Sequence, residues 1–460
     1  MMGPRQITLE EWELRYDVLK SAGLDEPFYG GRLGRHLGDG DYRLRNLRFD
    51  DSAAALRLWN FLLTEEERLA RARAEGRKLV GVMKDLGTTA VMAYAPDNVV
   101  AFYPDGAWWI PCIMENSDRL LAVADSLGIG ESFCPVRAMS GAFVTGNHFP
   151  IPDLLTCSVG ATCDDFSAIA QRLEGLGHEI VWWEMPHRRA PESDEETVVL
   201  PGGVFAAGRS QVDFVKSQLE VVRKALERVS GELLDGDKLA DTIARANRVR
   251  RVLGELRRAV YTAACCPLPA LEMLIAEMLA IHYCSDRDET EAVLEELLAE
   301  VHARITAGVG FGGSDTAKVF WVNPVADLRV MNMLEECGGR ICGTDYMFTH
   351  ALDLIPEGIE PMEALALAAL ADPMAGSSHD RAARIAADVT AFGAEAVIVS
   401  RIPGASHCCA EGRVIGDYLR GTLNLPVLEI EVPPLCDAVR PGLYTRIEAL
   451  VESIKQQRTP

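Results

Sequence analysis

The 460-residue chain contains no run of Lys and Arg, no stretch approaching the ~18 apolar residues of a membrane span, and no C-x2-C pair. Each absence removes a class of function. With 46 Lys+Arg against 68 Asp+Glu, the formal net charge is −22. Such a surface repels phosphate backbones and anionic lipids, so neither nucleic acid nor a membrane is an expected partner. Zinc is disfavoured without paired cysteine ligands at short spacing. Residues Met1–Leu24 carry Glu10, Glu11, Glu13 and Asp17 among their apolar positions, which suits neither a signal peptide nor a transit peptide, and a cytoplasmic location is the expectation. There is no G-x-x-x-x-G-K-[ST], no G-x-S-x-G and no H-E-x-x-H, so any ATP would be handled by another chain. Gly308-x-Gly310-x-x-Gly313 has the letters of a dinucleotide fingerprint, but it follows a helical pattern and precedes a strand pattern, the reverse of the required order. It reads as a hinge.

What is present is a composition of 48% apolar and 25% charged residues, enough for two or three full cores at this length. The periodicity divides the chain into an N-terminal helical segment (residues 1–78), a first α/β lobe (79–200), a helical region (201–310) and a second α/β lobe (311–460). In both lobes short apolar runs alternate with helical patterns. The expected fold class is therefore α/β: two flavodoxin-like, doubly wound parallel-sheet lobes with a helical layer between them in sequence. A ligand is expected in the cleft at the carboxyl ends of the strands.

Twelve cysteines are too dilute for a disulfide scaffold, and their placement is more informative than their number. Cys134 precedes Pro135 at an expected strand end, and Cys157 closes Leu154-Leu155-Thr156. Cys163 stands just before Asp164-Asp165 and a helix, Cys342 ends Arg340-Ile341-Cys342, and Cys408 and Cys409 occupy the loop before a helix opening near Glu411. In doubly wound sheets those positions gather along one edge, where helix amino ends favour thiolates and anionic clusters. Iron–sulfur clusters are held in this way, and six thiols exceed the need of one ordinary cubane. Each cysteine taken singly could equally be a small core residue. His148, Arg137 and His407 flank the expected cleft as candidates for proton transfer or for supporting the cluster.

The segments Phe133-Cys134-Pro135-Val136-Arg137 with Gly141, Thr156-Cys157 through Cys163-Asp164, Cys408-Cys409, and the tail Leu425–Glu431 with Thr445–Glu448 resemble the 2-hydroxyacyl-CoA dehydratase and benzoyl-CoA reductase family over about Leu79–Ile454. That resemblance implies two flavodoxin-like lobes and one [4Fe-4S] cluster on Cys134, Cys163 and one of Cys408 or Cys409. It also implies electrons from a separate ATP-hydrolysing iron–sulfur activator. The extra Cys157, Cys342 and doubled Cys408-Cys409 look like the double-cubane branch, in which six cysteines hold an [8Fe-9S] cluster in a homodimer that reduces small molecules. The leading expectation is accordingly an ATP-dependent low-potential reductase with Cys134, Cys157, Cys163, Cys342, Cys408 and Cys409 as ligands. The alternative is a 2-hydroxyacyl-CoA dehydratase subunit with a single [4Fe-4S] cluster.

Overall fold

Lys78–Met83 and Ala317–Val322 are runs of mostly apolar residues buried on both faces, the signature of central strands in a covered parallel sheet. In the computed structural model, which describes residues 3–37, 44–84, 87–106, 117–282, 285–313, 315–434 and 437–458, each run organises a four-stranded parallel sheet. Strands β1 (Gln6–Ile7) and β2 (Phe49–Asp50) form a small antiparallel pair in the N-terminal segment. The first sheet comprises β3 (Lys78–Met83), β4 (Val99–Phe102), β5 (Leu154–Gly160) and β6 (Ile180–Met185), in the order β4-β3-β5-β6. A short hairpin, β7 (Thr197–Val199) and β8 (Ala206–Gly208), follows across the boundary between the first lobe and the helical region. The second sheet comprises β9 (Ala317–Val322), β10 (Gly339–Asp345), β11 (Ala396–Arg401) and β12 (Val427–Glu431), in the order β10-β9-β11-β12.

Both sheets thus have the same winding: the second strand lies outside the first, and the third and fourth lie on its other side. This is the flavodoxin-like plan, with its switch point between β3 and β5 in one lobe and between β9 and β11 in the other. The two flavodoxin-like lobes are as the sequence leads one to expect.

Four long helices, Arg209–Ser230, Gly236–Thr262, Ala270–His282 and Arg287–Ala307, link the lobes. Asp235 and Asp286 start two of them by accepting from Lys238 N and Glu289 N, which satisfies otherwise orphaned amide donors. Arg250, buried on the second of these helices, donates to the Gly87 carbonyl in the first lobe (2.9 Å) and to the Asp353 carbonyl in the second (2.5 Å). Gly308 closes the helix Arg287–Ala307 in the left-handed conformation (φ 66°), the job of a helix C-cap and not of a phosphate loop. Among the described residues no helix is long and apolar enough to cross a membrane. Trp109-Ile110-Pro111, Cys112, Cys284, Cys436 and the side chain of Cys408 lie outside the described residues.

Candidate metal centre

Strand β5 runs three residues beyond Cys157, so this thiol sits within the strand, in register with Met83 and Trp182, and not at the strand end expected from the sequence. The chain then turns sharply. Gly160 has φ 94°, and a Cβ there would lie 2.2 Å from the Met185 carbonyl, so only glycine fits. Thr162 is also left-handed (φ 76°), an outlier for a β-branched residue, and its buried Oγ1 has no hydrogen-bond partner among the described residues. This strained turn presents Cys163 immediately before the helix Asp164–Gly175.

Cys163 is buried, with Sγ 3.7 Å from Asp165 Oδ2. The same carboxylate oxygen accepts from the N–H (2.9 Å) and hydroxyl (3.0 Å) of Ser406 in the second lobe. Donor atoms of Cys163, Asp165 and His407 all lie within 4.8 Å of one another, a sulfur, oxygen and nitrogen set able to hold a metal ion. The helix bearing His407 spans Ser406–Thr422 and so begins five residues ahead of Glu411. Cys408 and Cys409 therefore occupy its first turn instead of the preceding loop. Cys409 is half-buried and its Sγ points to the Ile402 carbonyl at 3.0 Å.

Cys134 stands in a turn and not at a strand end, just ahead of the 3-10 helix Pro135–Arg137. A Cβ on Gly404 (φ 79°) would lie 2.6 Å from the Phe133 carbonyl, so the Cys134 turn packs backbone to backbone on the loop leading to Ser406. Three cysteine-bearing segments consequently meet at the junction of the lobes: the turns before Pro135 and Asp164, and the first turn of Ser406–Thr422. Amino ends of helices from both lobes meet there too, and their exposed N–H groups favour bound negative charge.

The electrostatics of these groups are set mainly by burial. Burial pushes the Cys157 and Cys163 thiols up to about 12, so both are protonated at neutral pH. Burial, aided by the Arg381 and His350 charges, pushes His407 down to about 3 and leaves a neutral imidazole, the form that ligates metals. Alongside lies a buried polar chain. Arg381 donates to Asn323 Oδ1 (2.7 Å) and to Asp345 (2.8 Å), while the two ring nitrogens of His350 face Asp345 (3.2 Å) and Asp372 (3.1 Å). Burial opposes charge on His350, but the two carboxylates outweigh it and hold its pKa at about 9. A narrow cleft of about 40 Å³ between the lobes is lined by Lys84, Thr162, Trp183, Arg250, His350 and Asp372, among others.

The remaining sequence candidates fall elsewhere. Cys342 is fully buried in the second lobe's core among Phe320, Val322, Ala382 and Ile385. The charged groups acting on it are Arg340, Lys318 and Glu395, which come from the amino-end half of the sheet. Like those of Cys134 and Cys409, its sulfur is not among the donor atoms that lie within 4.8 Å of one another around Cys163. Arg137 is buried and supports its own turn, donating to the Phe133 carbonyl (3.2 Å) and to Asp125 (3.3 Å). His148, left-handed at φ 84°, sits edge-on to Phe149, and burial pushes its pKa down to about 4. Sequence reasoning passed over Asp165, Lys84 and His350. The first two had a signal: a second acid at a helix start, and a lysine directly after a buried strand. His350 had a weaker one, since Asp345 is five residues away but Asp372 is twenty-two.

A search of the curated proteins returned no match. A family profile described as 2-hydroxyglutaryl-CoA dehydratase, D-component, matches residues 91–454, a span that contains the Cys134 and Cys163 turns, the helical layer and the whole second sheet. With that extent of match, the chain belongs to the 2-hydroxyglutaryl-CoA dehydratase D-component family and is an enzyme component of the dehydratase and reductase type.

Proposed function

We propose that this chain is the iron–sulfur component of its enzyme, receiving single electrons from a separate ATP-hydrolysing iron–sulfur activator and using them on a small substrate in the inter-lobe cleft. One observation carries the reading: the Cys134, Cys163 and Cys408-Cys409 segments meet where helix amino ends from both lobes converge. Cys134, Cys163 and one of Cys408 or Cys409 would hold a [4Fe-4S] cluster, with Asp165 and His407 as the neighbouring non-thiol donors. Bound there, the cluster would supply one-electron chemistry at low potential. The chain's own residues do the rest. Cys163 gives up its proton on metal uptake, Asp165 ties the metal turn to the second lobe, and Arg250 and His350 present positive charge to the cleft. Trp183 and Met185 limit water on its first-lobe wall.

A second reading, the double-cubane reductase, is favoured by Cys157, whose thiol is close enough to Cys163 to be raised further by it. Its six-thiol ligand set also calls on Cys342, and packing of that side chain against Phe320 and Ile385 weighs against it. The single-cubane dehydratase-type component is therefore the better supported of the two. Iron and acid-labile sulfide per chain, measured on anaerobically purified protein, decide between them. About four irons support the single cubane, about eight with a slight excess of sulfide support the double cubane, and no iron refutes both. Cys157→Ser leaves iron content nearly unchanged on the first reading and lowers it markedly on the second.

A further inference from the structure

Lys84 follows β3 directly and is left-handed at φ 56°, an uncommon conformation for a residue with a side chain. Its side chain is only 1% exposed. Nζ donates to the Gly160 carbonyl at 3.1 Å and to Ser167 Oγ at 2.9 Å, and it lies 3.7 Å from Asp164 Oδ1. Gly160 stands before Cys163, and Asp164 and Ser167 stand after it, so one ammonium bridges both arms of the Cys163 turn. The Lys84 main chain is held as well, because Ser158 Oγ donates to its carbonyl at 2.8 Å.

This ammonium is poorly compensated. Its carboxylate partner, Asp164, has a side chain 84% exposed, so water and salt screen much of the attraction, whereas burying a cation costs several kcal/mol unless it is matched. Its charge also acts on the Cys157 and Cys163 thiols, holding both lower than burial alone would. Asn323 provides an internal comparison. It is the first residue after β9, as Lys84 is after β3, and is likewise left-handed at φ 65°, but it is a neutral amide that accepts from Arg381. The shared backbone conformation belongs to the fold, while the cation at this position belongs to the first lobe alone.

We infer that Lys84 is a positioning residue that clamps the Cys163 turn through its hydrogen bonds and sets the redox level of the cluster through its charge. This inference rests on the iron–sulfur reading proposed above. A fixed positive charge favours the reduced, more negative cluster, so its removal makes reduction harder.

The test compares anaerobically purified wild-type chain, Lys84→Met and Lys84→Arg by iron content and by EPR-monitored redox titration. Lys84→Met is expected to retain iron with a more negative midpoint potential, and Lys84→Arg to return to the wild-type value. Loss of iron from Lys84→Met alone also supports the inference, because arginine restores charge without the shape of lysine. Full iron at an unchanged potential in Lys84→Met overturns the inference and leaves the cluster reading standing. A potential shift or an iron loss shared equally by both variants overturns it too, since charge would then not be the agent. A wild-type chain without iron refutes the cluster reading and this inference together.

Discussion

Ser406 and Asp165 join the two lobes at one atom: the N–H and the hydroxyl of Ser406 both donate to the same carboxylate oxygen, at 2.9 and 3.0 Å. Asp165 thereby serves as a helix cap supplied from the other lobe. Asp165→Ala leaves the Ser406 amide unmatched and is expected to destabilise the chain by about 3 kcal/mol, whereas Ser406→Ala removes one neutral donor for about 1 kcal/mol. Urea denaturation of both variants checks the ratio. Equal, small effects would mean that the junction does not depend on this contact.

Cys163 and Cys342 are both buried thiols, but they occupy different surroundings. Cys163→Ser is expected to abolish most iron retention with little loss of fold. Cys342→Ser should keep its iron and lose about 1–3 kcal/mol, because a hydroxyl replaces a thiol in an apolar core. Iron assay and thermal melting on the same preparations separate the two, and iron loss in Cys342→Ser would restore it to the ligand set.

Gly404→Ala places a methyl group 2.6 Å from the Phe133 carbonyl at a φ of 79°. Strain and overlap together should cost about 2–4 kcal/mol and push the Cys134 turn away from the Ser406 helix. Lower thermal stability together with a faster loss of iron to a chelator is the expected outcome. Gly393→Ala, left-handed at φ 64° but with nothing within 4 Å of the added carbon, controls for strain alone and should leave the chelation rate unchanged.

His350 supplies a pH dependence of defined sign. Its folded pKa of about 9 lies above the ordinary value of 6.5, because Asp345 and Asp372 overcome the burial that opposes its charge. The resulting stability is fully present below pH 6.5 and disappears as pH rises through 9, and it amounts to about 3 kcal/mol. Urea melts between pH 6 and 9.5 should show that decline in wild type and a flatter profile in His350→Gln. Matching profiles would remove His350 as the source.

The lobes were legible because their signals are local: buried aliphatic strands, helical periodicity, and an Asp-Asp start after Cys163. The errors all arise where a distant residue decides the matter. Ser406 begins a helix because Asp165, 241 residues earlier in the chain, caps it. Strand β10 continues past Cys342 through Gly343 and Thr344 to a buried Asp345, held by Arg381 from 36 residues away, so a polar strand end looked like loop. Ser158–Gly160 misled in the same manner, as a small and polar ending to β5 that made Cys157 seem terminal. Convergence of Cys163 and the first turn of Ser406–Thr422 was readable from topology, since both segments follow the carboxyl edges of strands, whereas Cys134 follows a helix and was placed through a strand end that does not form.

Arg250 ties one long helix to a carbonyl in each lobe. Widening the cleft would break these bonds, which pin the helix to both of its walls. The walls of the cleft are therefore organised when the chain folds and not when a ligand arrives. A ligand then meets a preformed site with little loop-ordering entropy to overcome, so its affinity should be nearly independent of any closing motion.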